Sequence, residues 1–182
     1  MLYSGPEPAI SKIQPILSTP KTSVFGTVRR VTGTTGTAST VKLIDQYLSA
    51  IQLLAACEAL SFAARLGLDT SQIYEFIGNA AAWSWMLQTQ APKMLIGDRD
   101  SKMEAVSDSY SGSVTIGTFA ADLGIFLDEA KSATYWAPLA SAAHNAFLAG
   151  VSKGWGAQCD ASVVRLYEIE EVSVARSAST GS

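Results

Sequence analysis

Apolar residues recur at steps of three and four along residues 40–66, which is the spacing of one face of an α-helix. Gly67 follows the run and is the residue type that commonly ends a helix in the left-handed conformation. Such a helix would be about 40 Å long, and its many small side chains suit a central position with other helices close around it. Its apolar positions are Val41, Ile44, Tyr47, Leu48, Ile51, Leu54, Ala55 and Cys57.

Five shorter helices are predicted after the long one. Asp69 has the form of an N-cap with Gln72 three residues later, and we expect this helix to end near Gly78. Pro138 stands at a first-turn position of another helix, which runs to about residue 152. Asp160 is expected to cap a last helix that ends near residue 171. The two remaining helices are predicted over about residues 81–95 and 114–132.

The start of the chain has a different pattern. Leu2-Tyr3 and residues 23–28 each favour a strand, and residues 8–17 between them form an amphipathic helix. The small and turn-forming residues 32–39 that follow are typical of a hinge. We expect residues 96–113, which are largely polar, to form a loop.

The predicted fold is therefore mainly α: a helical bundle around one long central helix, preceded by a short β-α-β stub. The stub covers residues 1–31, the hinge residues 32–39 and the helical domain residues 40–172. Residues 173–182 are small and polar, so we expect a disordered tail.

Composition and charge exclude several function classes. The 182 residues carry a formal net charge of -3, and the Lys and Arg residues are scattered apart from Arg29-Arg30, which argues against a nucleic-acid partner. The apolar stretch over residues 47–66 is interrupted by Gln52, Glu58 and Arg65. Because charged residues are costly in a bilayer, a buried helix of a cytoplasmic protein is the better interpretation than a membrane span.

The sequence contains few residues that commonly carry chemistry. Cys57 and Cys159 lie far apart, neither has a Cys or His at ligand spacing, and we expect free thiols and no metal site. The phosphate-binding turn Gly-x-Gly-x-x-Gly of dinucleotide domains is absent from the chain. His144 is the only histidine, and its alanine-rich surroundings favour a structural role.

Lys42 is the remaining chemical candidate. Asp45 and Gln46 follow it by three and four residues, so the three side chains share one helix face. One interpretation is a solvated ion pair that contributes a few tenths of a kcal/mol, roughly, to helix stability. The other makes Lys42 a proton-transfer group, which requires desolvation to lower its pKa.

The segment from Gly33-Thr-Thr-Gly36 through Lys42 to Asp45-Gln46 resembles the hinge and helix start of the β-hydroxyacid dehydrogenases. Within that family the chain is most similar to the L-threonate, or sugar-acid, dehydrogenase branch. Later segments resemble the family's C-terminal helical domain in the same order: Glu58 to Asp69, Gly78 to Met86, Pro92 to Leu95, Asp122 to Ala130, Pro138-Leu139, and Gly154 to Val163.

This resemblance implies the C-terminal half of an enzyme that oxidises a small hydroxy acid with NAD or NADP. Residues 1–31 would be the end of a Rossmann domain whose cofactor-binding glycines lie upstream, so the chain is expected to be truncated. The helical domain would form homodimers or larger homo-oligomers. Carried over by position, the catalytic acid/base is Lys42, the substrate-side residues are Asp45, Gln46 and Trp83, and the cofactor-side residues are Gly36 and Asp122.

Two positions depart from the family pattern. Asp45 stands where the family has Asn, and Ala121 stands where a Lys usually precedes the Asp-Leu-Gly segment. At about 4 Å and an effective dielectric near 20, the Asp45 carboxylate would repel an anionic substrate by roughly 4 kcal/mol. The alternatives are therefore a non-catalytic, dimerising remnant of the family and a truncated product of an active enzyme.

Overall fold

The computed structural model describes residues 1–17, 28–96 and 114–167. Within them it confirms a mainly helical fold with a short parallel strand pair at the start. The chain divides into two compact units, Met1–Gln46 and Tyr47–Ser182. The elements are β1 (Leu2–Tyr3), α1 (Glu7–Leu17), β2 (Arg29–Arg30), α2 (Thr37–Arg65), α3 (Thr70–Ile77), α4 (Trp85–Ile96), α5 (Ile116–Ser132), α6 (Pro138–Ser152) and a 3₁₀ helix (Asp160–Leu166).

The first unit contains the predicted β-α-β stub. β1 and β2 pair in parallel, with Leu2 opposite Arg29 and Tyr3 opposite Arg30. The strand predicted over residues 23–28 falls almost wholly outside the described residues, and the observed strand begins just after it. Arg30 also forms an ion pair with Glu7 at the start of α1. The helix between the strands buries Ile10 and Leu17.

The long helix α2 begins three residues earlier than its apolar spacing predicts. The carbonyl of Gly36 accepts the first helical hydrogen bond, from Thr40. Because glycine has no side chain to cap the next amides, the Oγ of Ser4 accepts from the backbone N–H of Ala38 at 2.9 Å instead. The other end is as predicted, with Gly67 at φ 75°. These two ends fix the length of the helix.

The second unit holds the helical bundle. Asp69 caps α3 as predicted, accepting from the backbone N–H groups of Ser71 and Gln72. α4 begins later than the predicted residue 81 because Ser84 accepts from the backbone N–H of Leu87 and fixes the helix start there. α5 begins two residues later than predicted, and α6 has the predicted ends.

The prediction of the last helix is partly wrong. Asp160 does not act as the N-cap of an α-helix, since it is the first residue of a 3₁₀ helix whose N-cap is Cys159. Its side chain is only 1% exposed and accepts from the thiol of Cys159 and the backbone N–H of Ala161. The loop predicted over residues 96–113 is wrong at Ile96, which is the last residue of α4. Residues 97–113 of that loop and the tail predicted over residues 173–182 lie outside the described residues.

The core belongs to the second unit. Phe119 and Phe147 pack with ring centroids 5.1 Å apart, and both are essentially inaccessible to solvent. The 29-residue helix α2 is long and apolar enough to cross a membrane by length and composition, and half of its most apolar window is buried inside the fold. Other fully buried side chains are Leu53, Leu60, Ile116, Leu123 and Val163.

Candidate active site at the start of the long helix

Lys42 lies in the second turn of α2, and its ammonium group connects the two polar residues that follow it on the same face. Its Nζ donates to Oδ2 of Asp45 at 2.6 Å and to Oε1 of Gln46 at 2.8 Å. Residues three and four positions apart are neighbours on a helix, so the shared face predicted from the spacing is confirmed. Two of the three N–H bonds of the ammonium therefore have acceptors among the described residues.

Solvent reaches this cluster unevenly. The side chains of Lys42 and Asp45 are 57% and 60% exposed, whereas Gln46 is 8% exposed. An ion pair this exposed contributes only about 0–1 kcal/mol to stability. The cluster carries no net charge, because the ammonium and the carboxylate cancel. It therefore holds the lysine nitrogen between two acceptors and attracts anions only weakly.

The turn before α2 leaves space for a ligand against the backbone. Gly36 has φ 96°, and no heavy atom lies within 4 Å of the position that a Cβ would take. Gly33 is different, because a Cβ there would meet the Thr37 hydroxyl at 2.5 Å. The cofactor-side role of Gly36, contact with a dinucleotide such as NAD or NADP, stays a prediction, because the Cβ positions of Gly67 and Gly154 are equally open. The chain has no Gly-x-Gly-x-x-Gly turn to hold the phosphates of such a dinucleotide.

Trp83 and Asp122, the other predicted site residues, belong to the second unit. Trp83 is half-buried, and its ring is tilted against Tyr74 with centroids 5.6 Å apart. Asp122 is half-buried on α5, one turn before Phe126, whose ring stacks on Tyr47 at 4.3 Å. The substrate-side role of Trp83 and the cofactor-side role of Asp122 stay predictions.

A second polar cluster was not predicted from the sequence. Lys93 on α4 donates to the sulfur of Cys159, and Cys159 donates to Asp160. Burial raises the pKa of Cys159 and of Asp160. The only signal in the sequence is that Cys159 adjoins an acidic residue, because Lys93 lies 66 positions away. In the described ranges, no three His, Cys, Asp or Glu side chains group closely enough to hold a metal ion.

Comparison with known families assigns the chain to one of them. Residues 36–167 match the family described as the NAD-binding domain of NADP-dependent 3-hydroxyisobutyrate dehydrogenase. The chain belongs to this family. The match begins at Gly36 and includes Lys42, so the resemblance to the β-hydroxyacid dehydrogenases is confirmed, and with it the expected cofactor type, NAD or NADP.

Individual relatives are similar over most of the chain. L-threonate dehydrogenase of Cupriavidus necator is 31% identical over 167 residues, which cover 92% of this chain and 51% of the relative. Human mitochondrial 3-hydroxyisobutyrate dehydrogenase is 28% identical over 139 residues, covering 76% and 40%. A crystal structure of 3-hydroxyisobutyrate dehydrogenase from Salmonella typhimurium superposes with TM-score 0.69 at 32% identity, covering 90% and 52%. The chain spans about half the length of the relatives it matches.

Proposed function

We propose that the chain is the helical half of an NAD(P)-dependent β-hydroxyacid dehydrogenase that oxidises a small, threonate-like sugar acid. Lys42 serves as the general acid/base. The observation that carries this proposal is the geometry of its ammonium, which two neighbours on the same helix face hold in one direction, 2.6 and 2.8 Å away. Membership of a dehydrogenase family and the similarity to L-threonate dehydrogenase support it.

Each residue of the cluster has a distinct role in the reaction. A bound NAD(P)+ would supply the hydride acceptor for the carbon that carries the substrate hydroxyl. Lys42 takes the proton of that hydroxyl, for which it must first lose its own proton. Asp45 favours the ammonium form, so it opposes this step, while Gln46 fixes the direction of the nitrogen. Because the Lys42 side chain is 57% exposed, the bound ligands must exclude water from its nitrogen before the proton is transferred.

The other assignments follow from the same proposal. Gly36 lies against the cofactor, where its open backbone permits close approach. Asp122 is a further cofactor contact, and Trp83 forms part of the substrate pocket. We propose a cytoplasmic homodimer or larger homo-oligomer, assembled through the helical domain. The exposed apolar side chains of α2, which include Ile44 and Leu48 at 47% and 50%, are consistent with such an assembly.

A second candidate function is a non-catalytic helical module that pairs with a family member. The Lys42–Asp45 contact at 2.6 Å favours this candidate, because the carboxylate holds the lysine as an ammonium and repels acids. The exposed apolar side chains on α2 suit either candidate. The two functions therefore differ in chemistry rather than in assembly.

The experiment is a chimera in which the N-terminal half of the Cupriavidus necator relative precedes this chain. The assay measures the reduction of NAD+ or NADP+ when L-threonate is added as the substrate. We expect turnover, and loss of general acid/base catalysis in Lys42→Ala should lower kcat by about 10²- to 10⁴-fold. Lys12→Ala, at an exposed lysine of α1, is the matched control. Equal rates in wild type and Lys42→Ala would exclude Lys42 as the acid/base, whereas no turnover by a folded chimera would favour the non-catalytic module.

A further inference from the structure

Three titratable side chains of the second unit converge where α4 meets the 3₁₀ helix. The Nζ of Lys93 lies 3.8 Å from the Sγ of Cys159, and this thiol donates to Oδ1 of Asp160 at 3.2 Å. Lys93 and Cys159 are half-buried, whereas Asp160 is 1% exposed. The sulfur is thus in contact with the amine of Lys93 and the carboxylate of Asp160, and none of the three residues is among those proposed for the active site.

The neighbours of Cys159 determine when its sulfur reacts. Burial raises the pKa of the thiol and Asp160 raises it further, while a hydrogen bond from the backbone of Ala161 and the charge of Lys93 lower it. Burial also raises the pKa of Asp160, which makes its carboxylate a stronger proton acceptor. The carboxylate of Asp160, 3.2 Å from the sulfur, can therefore accept the thiol proton as the sulfur attacks a peroxide oxygen.

The amine of Lys93 lies close enough to Cys159 to react with an oxidised group on its sulfur. A separation of 3.8 Å is slightly longer than the 3–3.5 Å or so of a near-attack geometry. The lysine side chain is flexible enough to close the difference. Holding two groups this close gives their reaction an effective concentration far above that of any free amine.

We propose that hydrogen peroxide joins Lys93 and Cys159 through a covalent N–O–S bridge that ties α4 to the 3₁₀ helix. The first peroxide oxidises the thiol to a sulfenic acid and leaves one water. Lys93 then loses its ammonium proton to solvent. The O–O bond of the second peroxide breaks as this peroxide takes one hydrogen from the S–OH group and one from the amine and leaves as two waters. The sulfenic oxygen and the lysine nitrogen then share the new O–N bond.

Electrons balance across the two steps. Sulfur and nitrogen lose two electrons each, and each peroxide accepts two. Four thiol equivalents reverse the reaction, giving two disulfides, one water, the thiol of Cys159 and the amine of Lys93. Because the bridge is reversible, it records peroxide exposure without permanent damage, unlike a sulfonic acid.

Cys57 provides an internal control within the same unit. It is fully buried, and its Sγ lies 4.0 Å from the thioether sulfur of Met94. The known contacts of Cys57 therefore place a second sulfur beside it, whereas those of Cys159 place an amine beside it. Oxidation that depends on the lysine contact should modify Cys159 and spare Cys57.

The test is peptide mapping by mass spectrometry of the full chain after peroxide treatment and quenching. We expect one linked peptide pair joining Lys93 to Cys159, heavier than the two peptides together by one oxygen and lighter by two hydrogens. Excess thiol should remove this species. Lys93→Arg keeps the charge but not the primary amine, so it should not give the linked pair, and neither should Cys159→Ser.

Two results with the wild-type chain overturn the proposal: oxidation of Cys159 to sulfinic or sulfonic acid without a linked pair, or an unchanged Cys159 under conditions that oxidise the exposed Met1. The same mass change in Lys93→Arg would also overturn it. The decision rests on wild-type peptides, so a variant that fails to fold does not obscure the result. Circular dichroism of Lys93→Arg verifies its helices.

Discussion

Asp45→Asn should increase the activity of the chimera toward an acid substrate. The substitution removes a negative charge that lies 2.6 Å from Nζ of Lys42, so the cluster gains a net positive charge. For an acid about 4 Å away, the charge contributes roughly 4 kcal/mol at an effective dielectric of 20 and about 1 kcal/mol in water. Because Asp45 is 60% exposed, its repulsion of the acid should lie close to the value in water. We therefore expect the substitution to remove about 1–2 kcal/mol of this repulsion.

That free energy corresponds to an increase of about 5- to 30-fold in kcat/KM for L-threonate. The gain should shrink at high salt, because ions screen exposed charges. Asp128→Asn, at an exposed carboxylate of α5, is the matched control for a general change in net charge. An unchanged kcat/KM in Asp45→Asn, or an equal gain in Asp128→Asn, would refute the electrostatic reasoning. A gain that survives high salt would contradict it as well.

Three further predictions concern stability, measured by thermal unfolding of the chain. Asp69→Ala removes the side-chain cap of α3 and should cost about 1 kcal/mol, a fall in Tm of about 2–4 °C, whereas Asp128→Ala should change little. Phe147→Ala opens a cavity in the core and should cost about 3–5 kcal/mol, whereas Leu139→Ala, at a side chain 57% exposed, should cost less than 1 kcal/mol or so. Burial raises the pKa of Asp160, so the folded chain binds this proton more tightly than the unfolded chain, and stability is lost as pH rises above the ordinary value of 3.8. Asp160→Asn should flatten this decline in a Tm-against-pH series, and an unchanged slope would exclude Asp160 as its cause.

The sequence predicted a helix end well where the residue that determines this end lies next to it in the sequence. Pro138 marked the start of α6, and Asp69 and Gly67 marked the ends that they fix. The predicted start of α2 lies three residues after the observed one. Its cap is the side chain of Ser4, which accepts a hydrogen bond from the backbone N–H of Ala38, 34 residues further along the chain. No pattern within α2 itself contains that information.

The two polar clusters also differ in whether their contacts are local or tertiary. Lys42 and its partners lie within five residues on one helix, so helix geometry alone brings them together. Lys93 and Cys159 meet only because α4 packs against the 3₁₀ helix, which is a tertiary contact. The sequence indicated an N-cap role for Asp160. In the structure this residue is buried, and its carboxylate accepts a hydrogen bond from the thiol of Cys159 instead.

Chemical rescue of Lys42→Ala tests the central claim most directly. The chimera carrying this substitution is assayed with L-threonate and cofactor while a small primary amine is added at increasing concentration. If Lys42 transfers the proton, the amine should restore part of the lost rate in Lys42→Ala and leave the wild-type rate unchanged. A variant that keeps the wild-type rate without amine, or one that no amine improves although it binds substrate normally, would contradict the role of Lys42 as general acid/base.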